Sequence, residues 1–190
     1  MTVPIAVTKI ILSWRQSPMA WIASLPDYDD IRGKSLDKPV PPAVKGLCHH
    51  LLGLSGGKVV VPFREPLGFC RTLTLYGQTT PYHEVALQIG QVCACHENCA
   101  RIWLADRAKR QLITGFALSA YDRMWRQHTW VLRDDGTLIE TTAKRDVYFG
   151  LVLDDRNAET FARVHSPVGT GQEPSHSVHR RRHPRKSAGT

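Results

Sequence analysis

No apolar run in this chain approaches the roughly twenty residues needed to span a bilayer, so no transmembrane helix is expected. The opening, MTVPIAVTKIILSW, is apolar but offers only Lys9 as an early positive charge. It also lacks a small-residue cleavage site followed by a polar stretch, and reads as a folded or docking segment rather than an export signal. No internal repeat is visible, which excludes a repeat architecture. Cysteines are few and odd in number: Cys48, Cys70, Cys93, Cys95 and Cys99. An odd set fits a reduced, cytoplasmic protein better than the paired framework of a small secreted domain. No organic cofactor is expected.

Acidic residues are missing from the final stretch PSHSVHRRRHPRKSAGT, which carries Arg180, Arg181, Arg182, Arg185 and Lys186. Removing those five cations from the net charge of +8 leaves about +3 for the rest, so the basicity belongs largely to the tail. Such a run is expected to stay solvated and disordered, because like charges repel and nothing apolar is available to bury. Its functional alternative is a weak, salt-sensitive attraction to nucleic acid or another acidic surface. The remainder is ordinary for a globular protein: 190 residues in all, 42% hydrophobic and 22% charged. One domain is expected at 43–165, preceded by an extension and loop at 1–42 and followed by the tail at 166–190.

Along the chain, VTKIILSWRQSPMAWIASL has mixed apolar spacing and Pro18, predicting a broken helix, and Asp27–Pro42 is polar and proline-rich, predicting a loop. AVKGLCHHLLGLSGG predicts a helix with Leu47, Leu51 and Leu54 on one side, ended by SGG. KVVVPF is a short strand, and REPLGFCRTLTLYGQTTPYHE reads as loop-rich. A helix is expected over 95–110 with Ile102 and Trp103 inward, then a strand at LITGFALS. HTWVLRD and TLIETT flank Asp135-Gly136, a hairpin signal because the turn needs positive φ. A strand at VYFGLVL and a closing helix at DDRNAETFARV complete the order. Helices segregated from consecutive strands indicate an α+β fold, with Trp130 and Phe116 in the core and Tyr148, Phe149 and Gly150 packing the sheet.

The chemistry concentrates in VCACHENCA and the hairpin. A cysteine nucleophile works as thiolate and needs a helix N-terminus or an imidazole to lower its pKa. Cys95 opens the predicted helix, His128 opens the first hairpin strand, and Glu140 returns on the second, where it could orient the imidazole. With Asp135-Gly136 as a two-residue loop, however, Glu140 falls opposite Val131 and faces away from His128. The pairing therefore requires a bulge or a strong twist. Two other readings stand beside this one. Free cysteine is often only a small buried hydrophobe. Alternatively Cys93, Cys95, Cys99 and His96 could hold zinc, with His49 and His50, beside Cys48, completing the site, although no second paired-cysteine knuckle follows.

CHENCARIW, ITGFALS, WRQHTWVLRDDGTLIETT and YFG together resemble a layout in bacterial and phage proteins similar to the papain-like, NlpC-type and transglutaminase-like thiol enzymes. The resemblance covers about Cys93–Gly150. It implies a papain-like fold, with a Cys-bearing helix packed on an antiparallel sheet that carries the histidine and acid. It assigns the nucleophile to Cys95, the base to His128 and the orienting group to Glu140. The implied activity is acyl transfer on a protein or peptide-like amide, by an amidase, peptidase, deamidase or transamidase. No equivalent of papain's oxyanion glutamine stands out; Gln88, Gln91 or the Cys95 N–H could serve, and Asn98, one turn on, could line the site. The alternatives from other classes are a non-catalytic binding protein that engages nucleic acid or an acidic partner through its tail, and a zinc-stabilised domain.

Overall fold

The computed structural model describes residues 20–24, 31–33 and 39–166, the first two segments by backbone alone. The basic cluster at Arg180, Arg181, Arg182, Arg185 and Lys186 lies outside the described residues, as does the first part of the expected broken helix. The architecture is α+β. In chain order it runs β1 (Ala20–Ser24), β2 (Ile31–Gly33), α1 (Pro42–Leu54), β3 (Lys58–Pro62), α2 (Leu67–Tyr76), β4 (Gln78–Thr79) and β5 (Glu84–Leu87). There follow α3 (Cys95–Ala105), a short 3-10 turn, β6 (Arg110–Ser119), β7 (Met124–Arg133), β8 (Thr137–Glu140), β9 (Arg145–Val152) and α4 (Asp155–His165).

Several local expectations are corrected, among them the helix expected over 95–110, which ends at Ala105 before a 3-10 turn and strand β6. AWIAS is strand β1 rather than helix, and β2 forms inside the expected loop; β1 pairs antiparallel with both β2 and β3, so the extension contributes to the sheet. Pairing with an open strand edge outweighs the weak local pattern of five residues. REPLGFCRTLTLY contains α2, which buries Phe69, Cys70 and Leu73 at helical spacing. Its signal is masked by Thr72 and Thr74, poor helix formers whose hydroxyls here donate back to the Gly68 and Cys70 carbonyls at 2.9 and 2.8 Å. In α1, Leu47 and Leu51 are fully buried, but Leu54 at the helix end is exposed. The closing helix α4 begins as expected, Asp154 capping the Asn157 N–H at 2.8 Å.

The strand order is β2-β1-β3-β7-β6-β9-β4, with β8 joined to β7 and β5 to β8. The sheet is mixed: β3 runs parallel to β7 and β5 parallel to β8, while the other pairs are antiparallel. One edge of β7 is fully laddered to β6. The other edge is shared, residues Lys58–Val60 of β3 taking Met124–Arg126, and Leu138–Ile139 of β8 taking Val131–Leu132. Between these contacts β3 and β8 part company, and His128 sits at the fork.

The faces of the sheet are unequal. The main core lies under the four helices and includes Leu112, Phe116, Leu118, Trp125, Val131, Ile139 and Phe149. A smaller cluster on the other face gathers Ile113, Ala117, Trp130, Leu138 and Tyr148. Trp130 and Phe116 are buried, as expected, and so is Trp103, while Ile102 packs half-buried against the main core.

Gly115 on β6 lies between His128 on β7 and Gly150 on β9. A Cβ built there would stand 2.2 Å from the Phe149 carbonyl oxygen and 2.5 Å from the Gly150 Cα, so the strands can close only around glycine. Gly115→Ala should therefore cost about 2–3 kcal/mol, since backbone rather than a flexible tip meets the added methyl. At Gly57 a Cβ meets nothing within 4 Å, and Gly57→Ala should change stability by less than about 0.5 kcal/mol. Urea unfolding of both variants checks the contrast.

Candidate functional site

The site begins with the segment that delivers the chain into α3. Its backbone is tied down at three points: Gln88 N–H to the Glu140 carbonyl at 2.8 Å, Gly90 N–H to the Thr141 carbonyl at 3.0 Å, and Gln91 to Asn98. The last tie is double, Asn98 Nδ2 donating to the Gln91 carbonyl at 2.9 Å while Asn98 Oδ1 accepts the Gln91 N–H at 3.1 Å. Asn98 is thus buried, and its amide braces the loop at both of its ends. The side chains of Gln88 and Gln91 are exposed, and the two residues serve the loop through their backbones. Cys93 turns the chain at φ +60, a conformation rare outside glycine, just before the helix.

Cys95 is the first residue of α3, behind an Ala94 cap that supplies no side-chain acceptor. The first backbone bond of the helix runs from Asn98 N–H to the Ala94 carbonyl at 2.8 Å, so the amides of residues 95 to 97 precede the helical ladder. These amides and the helix dipole favour negative charge at this end. Cys95 itself is half-buried.

The His128–Glu140 pair forms because the hairpin loop has three residues, not two. Val131 pairs with Ile139 and Leu132 with Leu138, so continuing the ladder sets Glu140 opposite Trp130. Trp130 and His128 share a face, and Glu140 therefore reaches the imidazole. The added residue is accommodated at the turn, where Gly136 has φ +82 and its N–H donates to the Arg133 carbonyl at 3.1 Å. This is the bulge that the pairing required, placed in the loop instead of the strand.

The resulting contact is tight and buried. His128 Nε2 lies 3.0 and 2.9 Å from the two Glu140 carboxylate oxygens, with His128 4% exposed and Glu140 0%. Glu140 Oε1 also accepts the Thr142 N–H at 2.8 Å and the Thr142 hydroxyl at 2.9 Å, and Oε2 accepts the Tyr148 hydroxyl at 3.0 Å. Tyr148 and Thr142 were not singled out for the site by sequence. The signal for Thr142 was present, since an acid two residues before a threonine can close a local side-chain-to-backbone turn.

Electrostatics follow from this enclosure. Burial opposes charge on Glu140, but the hydrogen bond and charge of His128, together with Thr142, hold its carboxyl below the ordinary range. Burial likewise opposes charge on His128, yet its hydrogen bonds to Cys95 and Glu140 raise the imidazole to about 9. For Cys95, burial works against ionisation and is overcome by the charge of His96, a hydrogen bond from His128 and one from His96, so the thiol is held well below its usual range. With Nε2 committed to Glu140, Nδ1 is the His128 nitrogen left for the sulfur. The site can therefore carry a thiolate beside an imidazolium, poised for nucleophilic chemistry.

The remaining cysteines behave otherwise. Cys99 is fully buried, donates to the Thr129 carbonyl at 3.1 Å, and burial pushes its thiol well up. Cys48 is buried too, and burial raises it to about 12. Cys93 is exposed. Cys93, Cys95, Cys99 and His96 do not converge: among the described residues no group of three or more His, Cys, Asp or Glu side chains is arranged to hold a metal ion. Nor is any helix among them long and apolar enough to cross a membrane. No known family model, curated protein or solved structure matches the chain.

Glu140→Gln tests the pair through stability and pH. Because His128 is raised, its contribution is complete below its ordinary value of 6.5 and is lost as pH climbs through about 9. Because Glu140 is depressed, its contribution is present above the ordinary 4.5 and is lost as pH falls through its lowered value. Stability should thus be greatest between the two. Glu140→Gln should lose about 3 kcal/mol in that window, the cost of stranding one member of a buried pair, and flatten the profile. Urea unfolding across the pH range measures both effects.

Proposed function

We propose that this protein is a cysteine-dependent acyl-transfer enzyme of papain-like architecture, with Cys95 as nucleophile, His128 as proton carrier and Glu140 as the group that orients His128. The observation that carries the reading is an imidazole held by both Glu140 oxygens on the strand against which the Cys95-bearing helix packs, with the helix-start thiol held below its ordinary pKa range. Supporting it are the chain order of cysteine, histidine and acid, and the likeness of CHENCARIW and HTWVLRDDGTLIETT to the papain-like and NlpC-type pattern. The substrate class is an amide of a protein or peptide.

In the first half-reaction the Cys95 thiolate adds to the carbonyl carbon and a C–S bond forms. The carbonyl electrons move to oxygen, which the amides at the start of α3 can receive. Collapse breaks the C–N bond, and the departing amine takes the proton from His128, leaving a thioester. In the second, an acceptor gives its proton to neutral His128 as it attacks the thioester. The C–S bond breaks, and thiolate and imidazolium are restored. Water as acceptor makes the enzyme an amidase, peptidase or deamidase, and an amine makes it a transamidase.

Alkylation by iodoacetamide at about pH 6.5 tests the assignment, since only a thiol of depressed pKa reacts readily there. Wild type, Cys93→Ala and Cys99→Ala should label equally, and Cys95→Ala should lose the labelling while keeping its fold. Mass spectrometry of each product is the readout. Equal labelling of all three variants would remove the nucleophile and the reading with it.

A further inference from the structure

Beside Cys95 stands a second imidazole that the reaction above does not use. His96 Nδ1 lies 3.9 Å from Cys95 Sγ and 2.6 Å from Thr129 Oγ1. Successive residues of a helix project about 100° apart and do not ordinarily face each other. The approach of His96 to the sulfur is therefore set from outside the helix. Thr129 sets it, being fully buried on β7 and itself 3.2 Å from the Thr114 hydroxyl of β6. From α4, Phe161 meets the His96 ring edge-on at a centroid distance of 5.7 Å, and His165 lies at 5.1 Å.

Resting on the proposed thiol chemistry, we infer that His96 is a positioning residue for that chemistry: its Nδ1–H, aimed by Thr129, is shared with the Cys95 thiolate and stabilises it. Proton accounting keeps the two imidazoles distinct. The Cys95 proton passes to His128, whose other nitrogen is anchored on Glu140. His96 acts only through this contact, and the Thr129 hydroxyl accepts from Nδ1 while donating toward Thr114. His96 thus raises the fraction of thiolate at a given pH, and His128 remains the group that serves the leaving amine.

The titratable groups around this centre come from every neighbouring element. His128 on β7 and Glu140 on β8 form the anchored pair, with Tyr148 of β9 on the carboxylate. Cys99, one turn along α3, is held protonated by burial. On α4, burial and the charge of His96 push His165 down to about 3, so it packs against His96 as a neutral ring. None of these replaces the His96 contact, so its removal should be visible.

The test is the rate of iodoacetamide alkylation of the full chain as a function of pH, with Cys95→Ser as the blank. His96→Asn should move the onset of reactivity upward by about one pH unit or more, about tenfold in rate at a pH below both onsets, while the high-pH plateau stays within about twofold. Thr129→Val should move the onset the same way by less, and Thr129→Ser, which keeps the hydroxyl, should match wild type. A His96→Asn profile that superimposes on wild type overturns the inference. Should that variant fail to fold, identical profiles for Thr129→Val and Thr129→Ser overturn it instead. Labelling as fast as wild type in Cys95→Ser at about pH 6.5 would sink the thiol reading itself, an outcome distinct from either.

Discussion

A carboxylate cannot be taken out of water alone: an unpaired buried charge costs several kcal/mol or more and would sooner be protonated. Glu140, with no exposed surface, meets that demand through donors from three places, His128 on β7, Thr142 just beyond β8 and Tyr148 on β9. Each donor constrains its own element. The ladder between β7 and β8 must have the register that brings Glu140 to His128's face. β9 must run close enough for its tyrosine to arrive, and the Gly115–Gly150 crossing is what allows that approach. The polar knot and the glycine pair are parts of one constraint.

The same constraint places the chemistry. Because β7 shares one edge between β3 and β8, its middle is left at a fork, and the N-terminus of α3 meets His128 there. The strand carries alternating duties across its two faces. Thr129 looks to the helices, where its hydroxyl meets His96 and its carbonyl accepts from Cys99, while His128 and Trp130 face the opposite cluster. Two adjacent residues of one strand thereby govern the two imidazoles that flank Cys95. Laddered to β6 along this stretch, the strand holds the site more firmly than a loop would.

Legibility in the sequence followed the range of the interactions. Strong local patterns, such as LITGFALS, VYFGLVL and the Asp-capped DDRNAETFARV, formed as their periodicity indicated. Cys95 at a helix start was readable because helix spacing is a local matter, whereas the His128–Glu140 pair was suggested by the resemblance and opposed by the simple hairpin register. The exact hairpin register was not readable. Asp135-Gly136 reads as a two-residue loop, but Asp134 joins it, and that single residue turns Glu140 from the wrong face to the right one. Strands β1 and β2 exist through pairing with β3, and α2 through burying Phe69 and Leu73 against its surroundings, so neither is marked strongly in its own residues. His96 invited a metal reading from its place between cysteines; its partner Thr129, thirty-three residues away, is visible only in three dimensions.

The central claim is that Cys95 and His128 rest as thiolate and imidazolium, with Glu140 holding the cation. Nitrogen NMR of the His128 ring reports this directly, because the two protonation states differ at both ring nitrogens. Both nitrogens of His128 should carry protons at neutral pH and lose one only as pH rises through about 9. A His128 ring that becomes neutral near the ordinary value of 6.5, with Glu140 in place, would contradict the account.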